Sequence, residues 1–170
     1  MWIAGLEQDS ITNGPGLRFV IFTQGCPHHC VGCHNPQTHE IGIGTQMSAD
    51  ALFAKIKANP LTKGVTFSGG EPFLQAEELA DLGERLKESG YEVAVYSGWT
   101  FEELLEKSKR EPGVKRLLSC SDVLVDGRFR LEEKSLDLRF RGSANQRILD
   151  VQKSLRTGQA VLMPKGRWQK

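Results

Sequence analysis

The sequence predicts an α/β fold with a mostly parallel sheet, built as an incomplete, TIM-like β/α barrel. Three observations carry this. Apolar runs of strand length alternate with segments of helical periodicity in the order β, loop, α, β, loop, α, β, α, β, which implies parallel strands joined by helical crossovers. Loops rich in Gly, Ser, Cys and Asp follow directly on the strand candidates, where such sheets place their ligands. The chain has 170 residues, whereas a closed eight-stranded barrel takes about 250. An open side would let a segment of another macromolecule reach the strand ends.

Each element has its own local reason. Asn13-Gly14-Pro15-Gly16 is turn chemistry and opens into Leu17 to Thr23, a β-branched and aromatic run of strand length. A cysteine-rich loop follows. Ser48 offers an N-cap to a helix whose Leu52, Phe53 and Ile56 share one face, with Pro60 just beyond its end. The short run Val65 to Phe67 reads as a strand that ends abruptly at Ser68-Gly69-Gly70-Glu71-Pro72. Leu79, Leu82 and Leu86 recur at helical spacing and Gly90 stands where a C-terminal cap belongs, so Gln75 to Ser89 reads as a helix. Tyr91 to Ser97 is the next strand candidate. Thr100 and Glu103 form a capping-box pattern for a helix reaching about Arg110, with Pro112-Gly113 as its stop. A short helical stretch near Arg116 precedes a strand at Asp122 to Gly127, and the last strand candidate is Ala160 to Met163. No composition break marks a linker, so residues 1–170 are expected to form one domain.

With 39% hydrophobic and 25% charged residues, the composition is that of a globular protein rather than a disordered or coiled-coil one. The opening "MWIAGLEQDS" has neither the apolar core of a secretory signal nor a membrane span. A soluble cytoplasmic protein is therefore expected, with no membrane association. In a reducing compartment, closely spaced cysteines are metal ligands or redox groups sooner than disulfides. The net charge of +1 hides an asymmetry: residues 1–127 carry 11 Lys/Arg against 17 Asp/Glu, and residues 128–170 carry 11 against 4. The basic tail suits an acidic partner or a ligand carboxylate, and equally a solvated face. No aromatic residues interleave with these charges, so no nucleic-acid partner is expected.

Chemistry concentrates in "GCPHHCVGCHNPQTH", Gly25 to His39, which holds three of the four cysteines and all four histidines. The spacing Cys26-x3-Cys30-x2-Cys33 lets three sulfurs converge from one loop. A 4Fe-4S cluster takes one thiolate per iron, so three cysteines would leave one iron open. Zinc accepts Cys3His, and His28, His29, His34 and His39 are all near enough in sequence to be a fourth ligand. Structural zinc sites draw paired ligands from two segments, however, and only one exists here, so the spacing favours the cluster. Cys120 reads as a small buried residue on the way into a strand rather than a distant fourth ligand. No ligand role falls to any histidine.

Cys26-x3-Cys30-x2-Cys33 after the first strand and Gly69-Gly70-Glu71-Pro72 after the next resemble the radical S-adenosylmethionine (SAM) enzymes. The match narrows with "NGPGLR", "FSGGEP", "YSGWTFEEL", "DVLVDGRF" and "RGSANQRILDVQKSL" (Arg141 to Leu155). Together these segments resemble the activating proteins of anaerobic ribonucleoside-triphosphate reductases, and they run through most of the chain in order. One departure from the wider superfamily is Gly32, where an aromatic residue commonly precedes the third cysteine; the reductase activases are similar in having glycine. His34 stands where those activases often have tyrosine.

The resemblance implies that the chain has the radical SAM fold and that Cys26, Cys30 and Cys33 bind a 4Fe-4S cluster. The fourth iron then chelates the amino and carboxylate groups of SAM. A flavodoxin or ferredoxin would supply an electron, and cleavage would give methionine and a 5′-deoxyadenosyl radical. That radical would take the α-hydrogen of a glycine near the C-terminus of the large subunit of the reductase. Gly69, Gly70, Glu71, Ser97, Gly98 and Asp126 are the candidate SAM-site residues, all at predicted strand ends. Backbone without a Cβ approaches a ligand closely, and the region Arg139 to Arg147 offers positive charge for the SAM carboxylate or for the partner. Two alternatives stay open: another short radical SAM enzyme, either a different glycyl-radical activase or a 7-carboxy-7-deazaguanine synthase, and a non-enzymatic zinc or iron-sulfur module.

Overall fold

A computed structural model describes residues 1–169. In chain order the elements are β1 (Trp2–Ser10), β2 (Arg18–Thr23), β3 (Thr45–Gln46), α1 (Ala49–Lys57), β4 (Gly64–Gly69), α2 (Ala76–Glu88), β5 (Glu92–Ser97), α3 (Phe101–Ser108), α4 (Pro112–Cys120), β6 (Val123–Asp126), β7 (Arg147–Asp150) and α5 (Val151–Thr157). They form one seven-stranded sheet in the order β3-β1-β2-β4-β5-β6-β7. β2, β4, β5 and β6 are parallel, and antiparallel pairing adds β1 and β3 on one side and β7 on the other.

The parallel strands are laid down in one direction across the sheet. Right-handed crossovers then place successive helices on one face, and α1 packs on α2, α2 on α4 and α3 on α4. This single winding is that of a barrel. Its edge strands β3 and β7 do not pair with each other, so the barrel is incomplete, as the chain length predicts.

Strand alternation sorts side chains between the two faces. Phe19, Ile21, Val65, Phe67, Val93 and Val95 face the helices and meet Leu79, Leu82, Leu86 and Leu117 in the main core. Full burial of each such side chain contributes about 1.5–3 kcal/mol. The other face is more polar. It carries Arg18, Thr66 and Ser68 among its buried residues and a smaller apolar cluster of Ala94, Val123, Val125, Ile148 and Trp168.

Several local signals act as expected. The Ser48 hydroxyl accepts from Ala51 N at the start of α1, and Thr100 and Glu103 form the full capping box of α3. Pro112 behaves differently: it is not only a stop after α3 but lies in the first turn of α4, where its missing N–H has no partner to lose. The C-terminal strand also differs. Ala160 to Met163 contributes a single bridge, Leu149 to Leu162, and the last full ladder is β7, "RILD", against β6. No helix among the described residues is long and apolar enough to cross a membrane.

Candidate active site

The C-terminal ends of β2, β4, β5 and β6 share one edge of the sheet, and the loops leaving them surround a cavity of about 640 Å³, within the range of small-molecule sites. Cys26, Cys30 and Cys33 line it from the loop after β2. Gly69 and Gly70 line it from the exit of β4, and Ser97 and Gly98 from the exit of β5. The sequence-predicted cysteines and glycines therefore meet at one place. All four cysteines are free thiols.

Backbone hydrogen bonds fold the cysteine loop back on itself. Gly25 N donates to Thr38 O (2.8 Å), Cys26 N to His39 O (3.1 Å) and Cys33 N to Cys30 O (3.1 Å). His29 adopts φ 47° between the first two cysteines. At Gly32 the φ is +73° and a Cβ would lie 2.9 Å from Leu131 Cδ1, so the position favours glycine over the aromatic residue common in the superfamily. The loop is stitched to the Gly-Gly segment by Gly70 N to Thr23 O (2.8 Å) and Glu71 N to Gly25 O (2.7 Å). A Cβ on Gly70 would stand 2.3 Å from Gly25 O, which makes this contact possible only for glycine.

Glu71 and Asp126 occupy a different place from the glycines. Glu71 is fully buried, and its carboxylate accepts from Phe73 N (3.1 Å), Ser97 Oγ (3.0 Å), Gly98 N (2.8 Å) and His28 Nε2 (2.8 Å). Asp126 is 1% exposed and accepts from Phe101 N (2.7 Å) and from the Arg147 guanidinium at 2.5 and 3.0 Å. Neither lines the main cavity; Asp126 borders a second one of about 590 Å³ that shares His28, Cys30 and Gly98 with the first. Both carboxylates brace the exit loops. Among the histidines, His34 packs on Phe129 at 5.0 Å and His29 on His39 at 4.9 Å. The part played by His28 had no signal in the sequence, because its partner is 43 residues away.

Residues 12–149 match a family described as a 4Fe-4S single cluster domain. The anaerobic ribonucleoside-triphosphate reductase-activating protein of Vibrio cholerae is 36% identical over 146 residues, 81% of this chain and 90% of that protein. The chain belongs to this activating-protein family. It is a radical SAM enzyme of the glycyl-radical-activase kind, with a 4Fe-4S cluster and SAM as its cofactors. The corresponding activating protein of Escherichia coli is 30% identical over 144 residues, 80% of this chain and 90% of its own. The pyruvate formate-lyase-activating enzyme of Listeria monocytogenes is 36% identical over 152 residues, 84% of this chain but 59% of that protein. The crystal structure of QueE from Escherichia coli overlaps 58% of this chain and 52% of its own at 21% identity and a TM-score of 0.48.

The cavity of this radical SAM enzyme fits those cofactors in donor chemistry. Its three thiols are the soft ligands iron-sulfur clusters use. Among the described residues no three His, Cys, Asp or Glu side chains converge on a single ion, and cluster thiolates, which bind separate irons, have no need to. Burial pushes the Cys26 and Cys30 thiols up, so metal must displace a proton at each. No Asp or Glu among the described residues lines the cavity, whereas Lys134 and Arg141 do, which suits a ligand carboxylate. Of the other candidate cations, Arg139 lies over the Phe140 ring (5.0 Å), and Arg147 is committed to Asp126 and Glu102.

Proposed function

We propose that the chain installs a glycyl radical on the large subunit of an anaerobic ribonucleoside-triphosphate reductase, with a flavodoxin or ferredoxin as electron donor. The observation that carries the site is the meeting of three thiols from one loop with the glycines of two strand exits around one cavity. Residues 1–170 act as one radical SAM domain, working in the cytoplasm. When bound, the cluster and SAM supply one-electron reductive cleavage and a radical strong enough to take hydrogen from a glycine.

The chain's own residues do the holding. Cys26, Cys30 and Cys33 provide the three cluster thiolates. Gly69 and Gly70 offer backbone groups to the methionyl amine, with Ser97 and Gly98 on the neighbouring strand exit. Lys134 and Arg141 provide charge for the carboxylate. Glu71 and Asp126 keep the exit loops in register from behind. The open side of the sheet admits the target loop of another protein, as a macromolecular substrate requires.

The choice of reductase over pyruvate formate-lyase is supported by the segment "GSANQRILDV", Gly142 to Val151, which resembles the reductase activases. Identity alone does not make the choice, since the Vibrio cholerae reductase activator and the Listeria monocytogenes lyase activator are each 36% identical to this chain. The test is anaerobic incubation of the cluster-loaded chain with reductant, SAM and each target enzyme. A glycyl EPR signal is expected on the reductase and not on the lyase. A chain that cleaves SAM yet leaves a competent reductase without that signal would sink the assignment.

A further inference from the structure

His28 sits between two cluster cysteines, Cys26 and Cys30, and its side chain is 5% exposed. Its Nδ1 accepts from Arg128 Nε at 3.3 Å, so Nε2 carries the proton and donates it to Glu71 Oε2 at 2.8 Å. Both ring nitrogens are thus committed within the protein, and neither is free to ligate iron. The ring also fills the space beside Gly98, where a Cβ would lie 2.3 Å from His28 Cδ2, and meets Trp99 edge-on at 4.7 Å. Glu71 in turn holds Ser97 and the Gly98 N–H. One imidazole therefore ties the cysteine loop to the exits of β4 and β5 and, through Arg128, to the exit of β6.

We propose that His28 is a positioning residue for SAM: through Glu71 it fixes Ser97 and Gly98 against the cluster loop and governs SAM binding rather than cluster assembly. This rests on the function proposed above. A fully buried carboxylate that loses one of its donors is left under-satisfied, and hydrogen bonds to charged groups are the strong ones. Glu71 would then shift towards other partners, and the Gly98 N–H and Ser97 hydroxyl would shift with it. The cysteines reach the cavity through their own backbone bonds to His39 and Cys30, which do not involve the imidazole.

Two variants separate these roles. His28→Phe keeps a ring against Gly98 and Trp99 but removes the donor; His28→Gln returns an N–H for Glu71. In the full-length, cluster-loaded chain, iron content and the EPR spectrum of the reduced cluster are followed as SAM is titrated, with signals compared per cluster bound. His28→Phe should retain the cluster and need roughly ten- to a hundredfold more SAM for the spectral change, with KM for SAM raised more than kcat is lowered. His28→Gln should recover most of the affinity. A SAM titration of His28→Phe that matches the unmodified chain overturns the inference alone, as does loss of iron from both variants. An unmodified chain that holds its cluster but gives no SAM-dependent change sinks the proposed function, and this inference with it.

Discussion

Arg18 and Glu71 are both fully buried charges on the same set of parallel strands, Arg18 at their N-terminal ends and Glu71 just past their C-terminal ends, and they are satisfied by different kinds of partner. Arg18 donates to Thr66 Oγ1 (2.7 Å), Val65 O (3.0 Å), and the Oε1 and O of Glu92 (2.7 and 3.2 Å). Those partners belong to β4 and β5. Trp168 from the C-terminal segment covers the guanidinium at 5.2 Å, and burial pushes its pKa down against the pull of Glu92. Glu71 is held by loops instead: a histidine of the cysteine loop, and a serine and an amide at a strand exit. A charge clamped by strands sets the register of the sheet. A charge clamped by loops sets the geometry of a site, and both cavities lie at that end.

The sharpest way to break this division is to remove one group from each end. Cys30→Ala should abolish cluster loading and SAM cleavage altogether, read as iron content and 5′-deoxyadenosine. Because Cys30 is only partly buried, the apo fold should lose no more than about 1 kcal/mol in a urea melt. Arg18→Met should do the reverse. Breaking a buried pair by removing one partner destabilises by about 3–5 kcal/mol, and since Glu92 keeps 22% exposure, about 3 kcal/mol is expected. SAM cleavage per folded chain should remain. An Arg18→Met chain that is folded, loaded and inactive would show that the two ends are not separable.

What the sequence makes legible follows the same line. The β2, β4, β5 and β6 strands and the α1, α2 and α3 helices announce themselves through apolar periodicity and caps, because their partners are the generic helix and sheet layers. The meeting of the three cysteines and Gly69-Gly70 at one cavity is legible because both segments follow directly on parallel strands, β2 and β4. β1 was hidden because it is half exposed, irregular in register between Ile3 and Gly5 and between Glu7 and Ser10, and held by pairing with β2. β7 is four residues long and borrows its ladder from β6. The roles of His28, Arg18 and Trp168 arise only from contacts across 43 to 150 residues of chain, and a sequence pattern has no record of those.

The smallest expected effect tests the boundary between the two regions from within the helix layer. Cys120 lies at the end of α4, 6% exposed in the main core, with Gly83 of α2 so close that a Cβ there would stand 2.6 Å from Sγ. It is on the face of the sheet opposite the polar one and contributes nothing to the cavity lining. Cys120→Ala should therefore keep the full iron content and destabilise the fold by about 1 kcal/mol, the loss of a small buried group. Burial pushes the Cys120 thiol from an ordinary 9.0 to about 12. Between those values the unfolded chain has given up its proton and the folded chain has not, so ionisation favours unfolding and stability falls as pH rises. Below pH 9 both states keep the proton and the effect is absent. Cys120→Ala should flatten that alkaline slope, and near pH 7 the melt should show only the loss of about 1 kcal/mol from the smaller side chain. Loss of iron from Cys120→Ala would instead make the buried thiol a ligand and erase the distinction between the packed layer and the strand-end site.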